Sequence, residues 1–280
     1  MKLETSVLII SFIVAVILGI IIIPILKKLK VGQIERDDGP QSHLKKQGTP
    51  TMGGIIMILT MIIVVTGTYI FFTMKEQGEL VNKLLPILLL TIGFGLIGFI
   101  DDFKKLVLRN TKGLKPSYKM LGLLIISVAY VVYLIYGLNL GTTTYIPIIK
   151  QYITIPAYLY IPFAIVVILA TTNAVNLTDG IDGLSSSVCA IIITCLTVIA
   201  IKYNVAEISV FGSIVIGATL GFLMFNLHPA KVFMGDTGSL LLRRRYFCNG
   251  IILKASITIN YNCTNTCIRN FICYYTSSIL

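Results

Sequence analysis

Seven long apolar stretches alternate with short polar loops along most of the chain. The stretches cover residues 5–26, 47–74, 84–100, 120–149, 151–178, 183–201 and 208–230. A helix needs about 20 apolar residues to cross the hydrocarbon core of a bilayer, and most of the stretches reach that length. The pattern therefore predicts an all-α fold, a polytopic bundle of about seven membrane-spanning helices.

The first apolar stretch has the position of a secretory signal peptide. Its apolar run is longer than the roughly 7 to 15 residues of such a peptide, and no small-residue cleavage pattern follows it. We therefore expect it to be a retained membrane anchor.

Composition supports a membrane protein and indicates which classes of molecule the chain binds. The chain is 56% hydrophobic and 12% charged, with a mean hydropathy of +0.89 and a net charge of +11. Its basic residues lie in short loops beside the predicted helices rather than in a basic soluble domain. This placement argues against nucleic acid and indicates a lipid bilayer and phosphorylated substrates as partners.

The distribution of lysine and arginine predicts an orientation. With the loop after the first span placed inside, thirteen basic residues lie in the inner loops and five in the outer loops. Since basic residues are enriched on the cytoplasmic side, we expect the N-terminus outside and the polar loops in the cytoplasm.

Residues 241–280 form a tail that differs from the preceding region, residues 1–240. The tail has no acidic residue, five of the 23 Lys and Arg residues, and four of the six cysteines. An external disulfide or metal module is one interpretation, but no His or acid accompanies the cysteines. The other is a frameshift. Residues 243–250 can be encoded so that reading one base later gives Gly-Gly-Ala-Ile-Ser-Ala-Met-Ala, which suits a membrane helix.

The acidic residues concentrate in the inner loops, which hold eight of twelve. Asp101 and Asp102 directly follow an apolar run, with Lys104 and Lys105 one turn later. Neighbouring helical positions point about 100° apart, so the two carboxylates cannot face one ligand identically. We expect one of them to act as a base or metal partner and the other to be held by a lysine.

Two further stretches combine amides, carboxylates and glycines. Asn173, Asn176, Asp179 and Asp182 follow one another at every third residue, and Gly180 and Gly183 predict that the helix ends there. Such groups are costly at a membrane boundary without a ligand or cation. Residues 226–239 combine a carboxylate, Lys231, hydroxyls and glycines, which are the parts of a magnesium diphosphate site.

The first inner loop, 43–54, adds lysines and a Gly-Thr-Pro-Thr turn that suit phosphate. Taken in order, four stretches resemble the bacterial phospho-N-acetylmuramoyl-pentapeptide transferases. They are 43–54, 101–102 with 111–114, 173–183 and 226–239. The transferases belong to the polyprenyl-phosphate N-acetylhexosamine-1-phosphate transferase superfamily. The resemblance implies transfer of phospho-N-acetylmuramoyl-pentapeptide from UDP-N-acetylmuramoyl-pentapeptide to undecaprenyl phosphate in the bacterial plasma membrane, releasing UMP, with Mg²⁺ as cofactor.

The resemblance also implies roles for single residues. Asp101, Asp102 and Asp236 are similar to the catalytic aspartates, and Asp236 and Asn176 to the metal ligands. Phe233 is similar to an aromatic residue that stacks on uracil. The remaining substrate-binding residues are Lys46, Thr51, Lys119, Asn173, Asn176, Asp179, Asp182, Asn226 and Gly235. Relatives end in a loop with several histidines, whereas this chain has two in all, so we expect the chain in this reading frame to be inactive.

Several alternatives stay open at this point. One aspartate acts either as the base or as a nucleophile that forms an aspartyl phosphate. A sister enzyme would transfer N-acetylglucosamine-1-phosphate to the same lipid. A transporter would place its acids near the membrane midplane rather than at one surface. The sequence also leaves a homodimer open.

Overall fold

The computed structural model of the chain describes residues 3–29, 49–74, 78–106, 113–138, 141–146, 151–176, 182–202 and 204–243. Within these ranges the chain forms eight α-helices and one two-stranded hairpin. The helices are α1 (Leu3–Lys28), α2 (Gly54–Thr73), α3 (Gly78–Leu106), α4 (Pro116–Val132), α5 (Ala157–Asn176), α6 (Leu184–Lys202), α7 (Ala206–Asn226) and α8 (Gly235–Arg243). The predicted all-α helix bundle is confirmed.

Six helical segments of the described chain are long and apolar enough to cross a membrane. They are Leu3–Lys28, Gly54–Thr73, Leu84–Lys105, Pro116–Gly137, Leu184–Lys202 and Ala206–Asn226. Helix α5 corresponds to the remaining predicted span, but its apolar part among the described residues is the shorter segment Ala157–Leu169. The chain is a multi-pass membrane protein.

The connection between α4 and α5 is a hairpin that the apolar pattern did not predict. Helix α4 continues into one π-helical turn, Tyr133–Gly137, and strands β1 (Thr143–Ile146) and β2 (Gln151–Thr154) then pair antiparallel. The apolar stretches 120–149 and 151–178, each counted as one span, therefore contain strands as well as helices. The β-branched and aromatic residues of a short strand are apolar too, so hydropathy alone does not separate the two structures.

Helices α1 and α7 pack closely through small residues. A Cβ atom added to Gly217 would lie 2.7 Å from the Cβ of Ser11, and one added to Gly221 would lie 2.5 Å from the Cβ of Ala15. Ser11 Oγ also donates a hydrogen bond to the Ile214 carbonyl oxygen. Small residues let two helix backbones approach where no hydrophobic driving force between helices operates.

The two helices run parallel, because Leu8 lies beside Gly217 while Gly19, further along α1, lies beside Phe225. Both therefore end on the same side of the bundle. The last turn of α1 carries Lys27 and Lys28 there. The loop after α7 and the start of α8 follow on this side, which is where the polar stretches meet.

Candidate active site

Four charged side chains from three helices meet in one cluster, which we call the charge ring: Asp101 and Lys105 of α3, Lys119 of α4 and Asp236 of α8. Lys105 Nζ donates to Asp101 Oδ2 at 2.8 Å and to Asp236 Oδ2 at 2.7 Å. Lys119 Nζ donates to the same two oxygens, at 3.1 and 3.0 Å. Two carboxylates and two ammonium groups therefore alternate around the ring.

The charge ring is shielded from solvent but still open on one side. The Asp101 side chain is 3% exposed, while those of Lys119 and Asp236 are 19% exposed and that of Lys105 is 37% exposed. Burial by itself raises the pKa of Asp236, but its interactions with Asp101 and with the ammonium groups of Lys119 and Lys105 together lower it by more. The net pKa of Asp236 lies well below its usual range, so this carboxylate is ionised at neutral pH.

Asp101 is also held by the loop before α4. Its Oδ1 accepts a hydrogen bond from the Leu114 amide at 2.7 Å. Gly113 precedes that amide with φ of +60°, and a Cβ atom there would lie 2.6 Å from Asp101 Oδ1. Gly113 and Leu114 belong to the stretch 111–114 identified in the sequence. Its first two residues lie outside the described part of the chain.

Asp102 points to a different partner, the first turn of α8. Its Oδ1 accepts from the Asp236 amide at 3.1 Å. Its Oδ2 accepts from the Thr237 amide at 2.8 Å and from Thr237 Oγ1 at 2.6 Å. The neighbouring carboxylates thus diverge, and Asp101 is the one that contacts lysines.

Gly235 lies where the first inner loop, α3 and α8 come together. Its φ is +71°, and a Cβ atom there would lie 2.6 Å from Asp102 Oδ2 and 3.0 Å from Thr51 Oγ1. A side chain at this position would be strained and would displace the carboxylate. Thr51, which the sequence assigns to substrate binding, is therefore beside the aspartate pair and is buried.

Backbone hydrogen bonds join the first inner loop to the segment before α8. The Phe233 amide donates to the Pro50 carbonyl at 2.8 Å, and the Gly53 amide donates back to the Phe233 carbonyl at 2.8 Å. The Gly54 amide donates to the Met234 carbonyl at 2.9 Å. These bonds hold the half-buried Phe233 close to the site. Lys46 and His43 lie outside the described residues.

Two polar contacts join the segment around the start of α6 to the end of α7 and the loop after it. Asp182 Oδ2 lies 3.1 Å from His228 Nδ1. Ser186 Oγ donates to Asn226 Oδ1 at 2.7 Å, and Asn226 Nδ2 donates to the Val232 carbonyl at 3.0 Å. Since Asn226 is buried, its amide organises the loop that leads to Phe233.

The described part of helix α5 reaches Asn176. Asn173 and Asn176 lie in its last turn, and Asp179 and Gly180 lie outside the described residues. Gly183, with φ of +73°, directly precedes α6. The predicted helix end at Gly180 lies outside the described residues, and Gly183 lies in the turn that leads into α6.

The donor set of the charge ring suits a divalent cation together with phosphates. No group of three or more His, Cys, Asp or Glu side chains gathers among the described residues. Mg²⁺ usually takes one or two carboxylates and completes its shell with water and substrate phosphate oxygens. Asp236 and Asp101 fit that requirement, because their Oδ2 atoms accept hydrogen bonds from the same two lysines. The ammonium groups of those lysines are suited to phosphate oxygens.

Sequence reasoning missed the specific role of Lys105 and the contribution of Thr237. Lys104 and Lys105 were both noted one turn after the aspartates, but Lys105 bridges Asp101 and Asp236. The available signal was the spacing of Asp101 and Lys105, which is the i, i+4 spacing of a helical ion pair. Nothing comparable in the sequence connects Thr237 with Asp102.

Comparison with known proteins was informative for most of the chain. Residues 84–252 match the family described as Glycosyl transferase family 4. Three similar proteins are each named phospho-N-acetylmuramoyl-pentapeptide-transferase. The one from Halalkalibacterium halodurans is 44% identical over 254 residues, which is 90% of this chain and 75% of the relative. Those from Caldicellulosiruptor bescii and Acetivibrio thermocellus are 42% and 41% identical over 90% of this chain, covering 75% and 74% of the relatives.

Proposed function

The chain belongs to glycosyl transferase family 4, among the phospho-N-acetylmuramoyl-pentapeptide transferases, and on this premise we propose its reaction. It transfers phospho-N-acetylmuramoyl-pentapeptide from its UDP carrier to undecaprenyl phosphate. The products are UMP and a lipid-linked precursor of peptidoglycan.

The observation that carries this proposal is the charge ring. Two buried or half-buried carboxylates share two lysine ammonium groups at distances between 2.7 and 3.1 Å. Its members come from helices α3, α4 and α8, so the fold brings these charges together at one end of the bundle. A site of this kind suits a reaction between two anions that must be held close together.

Both proposed substrates carry phosphate, so their approach is opposed by charge repulsion. Lys105 and Lys119 counter this repulsion by exchanging carboxylate oxygens for phosphate oxygens when the substrates bind. Because Lys105 is the more exposed of the two, it is the first to be reached by an incoming phosphate. The exchange leaves Asp101 and Asp236 free for new partners.

Asp236 would hold the Mg²⁺ ion, with Asn176 at the end of α5 as a second ligand. When bound, the cation neutralises negative charge that develops on the transferred phosphoryl group. The low pKa of Asp236 keeps its carboxylate ionised and ready to bind a cation at neutral pH. Substrate phosphates would supply further oxygen donors.

Asp101 is the proposed acceptor of the remaining proton of the lipid phosphate. An oxygen of that phosphate attacks the phosphorus nearest the sugar, the bond between the two phosphates of the UDP carrier breaks, and UMP leaves. The Leu114 amide fixes Asp101 during this step. Direct attack by Asp101 to form an aspartyl phosphate is the covalent alternative.

The nucleotide is proposed to lie beside the loop that joins α7 to α8. Phe233 stacks on uracil there, and Thr51, Asn226 and Gly235 shape the pocket around it. Lys46, Asn173, Asp179 and Asp182 complete the proposed substrate contacts. The site is expected to face the cytoplasm, because it lies at the same end as Lys27 and Lys28 of α1.

The test is release of UMP from UDP-N-acetylmuramoyl-pentapeptide by purified protein in detergent. Two chains are compared at matched expression: the chain as printed, and a restored chain in which residues from 243 onward are read one base later. We expect the restored chain to release UMP only when undecaprenyl phosphate is present. The same assay is repeated with UDP-N-acetylglucosamine as an alternative donor of the sugar phosphate.

Lys119 offers a matched pair of variants for the same assay. Lys119→Met should lower the rate strongly, since it removes one cation of the charge ring, whereas Lys115→Met at the exposed start of α4 should change it little. Equal effects of the two variants would contradict the proposed role of the ring. Faster turnover with UDP-N-acetylglucosamine would assign the chain to the sister reaction instead.

A further inference from the structure

We propose that Asp102 is a positioning residue that caps helix α8 from another helix and thereby sets the place of Asp236. Asp101 is then the single member of the aspartate pair that faces the reacting groups. This inference rests on the proposed function for its catalytic consequence, but the capping contact itself can be tested without turnover.

The first turn of α8 has amide groups that its own helix cannot satisfy. The first amides of any α-helix have no intrahelical partner, and a Ser, Thr, Asp or Asn just before the helix usually accepts from them. The residue before α8 is Met234, whose side chain has no oxygen. Asp102 of α3 supplies the missing acceptor, although it lies 134 positions away from Asp236.

The contacts of Asp102 use both of its carboxylate oxygens. Three donors reach it, namely the Asp236 amide, the Thr237 amide and Thr237 Oγ1. The residue is 4% exposed. A carboxylate at a helix N-terminus is also favoured by the helix dipole. Asp102 is therefore occupied by α8 and closed to an incoming phosphate, whereas Asp101 Oδ2 accepts from the ammonium groups of two lysines.

The cap contacts Asp236 directly, through the backbone amide of that residue. The Asp236 backbone amide donates a hydrogen bond to Asp102, and the Asp236 carboxylate contacts the ammonium groups of Lys105 and Lys119. Losing the cap would release the first turn of α8 and let the Asp236 carboxylate move relative to Asp101. A displacement of about 1 Å in an active site can lower a rate by roughly 100-fold.

Hydrogen–deuterium exchange of the full chain in detergent tests the capping contact directly. The variants are Asp102→Asn and Thr237→Val, with Thr237→Ser as the conservative replacement that keeps the hydroxyl. Thr219→Val is the matched control, since Thr219 is a buried threonine of α7 whose hydroxyl finds no hydrogen-bond partner among the described residues.

We expect amides in residues 235–243 to exchange roughly tenfold faster or more in Asp102→Asn and Thr237→Val, as for loss of a charge-assisted hydrogen bond. Thr237→Ser should return exchange towards that of the unmodified chain, and Thr219→Val should leave this segment unchanged. In the restored chain, the first two variants should lower kcat about 10- to 100-fold. Their combination should lower it no further than the stronger single variant, because both break one contact.

Unchanged exchange of residues 235–243 in both Asp102→Asn and Thr237→Val would overturn the proposal. So would a large loss of kcat in Asp102→Asn with normal kcat in Thr237→Val, because Asp102 would then act chemically. If Asp102→Asn loosens the whole protein, including α1 and α7, Thr237→Val decides alone. Absence of UMP release from the restored chain would refute the proposed function, and the exchange result would still decide the cap.

Discussion

Replacing Gly98 by alanine is the most direct test of how helix α8 is seated. Gly98 lies on α3, one turn before the aspartate pair, and the backbone of α8 crosses over it. A Cβ atom at Gly98 would lie 2.7 Å from the Asp236 carbonyl carbon and 2.8 Å from Thr237 Cα. Both contacts involve backbone, so no flexible side chain can move aside to relieve them.

The size of the displacement follows from ordinary packing distances. Such carbon atoms normally stay at least 3.4 Å apart, and the Asp236 carbonyl oxygen lies closer still to the added Cβ, so the two helices must separate by at least about 0.7 Å. Since a shift of about 1 Å can cost roughly 100-fold in rate, we expect kcat to fall about 10- to 100-fold. Overpacking of this kind also lowers the free energy of unfolding by about 1–3 kcal/mol.

The assay is UMP release by the restored chain carrying Gly98→Ala, measured beside thermal unfolding in detergent. Gly67→Ala is the control, because a Cβ atom at Gly67 of α2 would meet nothing within 4 Å. Alanine is the better helix former, so the control should be neutral or slightly stabilising. An unimpaired Gly98→Ala enzyme would refute the close approach of α3 and α8 on which the site depends.

Three further predictions concern the metal ligand, the nucleotide and the tail. Asp236→Asn in the restored chain should abolish turnover with membrane insertion intact, because it removes the charge proposed to bind Mg²⁺; near-normal UMP release at saturating Mg²⁺ would contradict this role. Phe233→Leu should raise the KM for the UDP substrate more than that for the lipid, because stacking is lost while the backbone bonds to Pro50 and Gly53 remain; equal changes in both KM values would favour simple packing at the membrane interface. The chain as printed should form no lipid-linked product, since each arginine at 243–245 would cost roughly 2.5 to 3.5 kcal/mol at the centre of a membrane helix; comparable UMP release by the printed and restored chains would show that the tail is tolerated.

The sequence alone determined the class of the fold and the stretches that supply the site. Membrane-spanning helices are visible in one dimension because each needs only a continuous apolar run of sufficient length. Polar residues at their ends stand out for the same reason, since a bilayer makes unpaired polar groups costly. Asp101, Asp102, Gly235 and Asp236 were identified in this way, whereas Lys119 was assigned by the resemblance to the transferase family.

Tertiary structure decided which partner each of these residues has. Asp101 and Asp102 are adjacent in sequence and equivalent in chemistry, yet one contacts two lysines and the other the first turn of α8. Lys105 meets Asp236 across 131 positions of sequence. Local sequence patterns do not predict contacts between residues so far apart in the chain, because these contacts depend on how α8 packs against α3. The hairpin after α4 escaped prediction for a related reason, since apolar strands and apolar helices have the same hydropathy and differ only in backbone pairing.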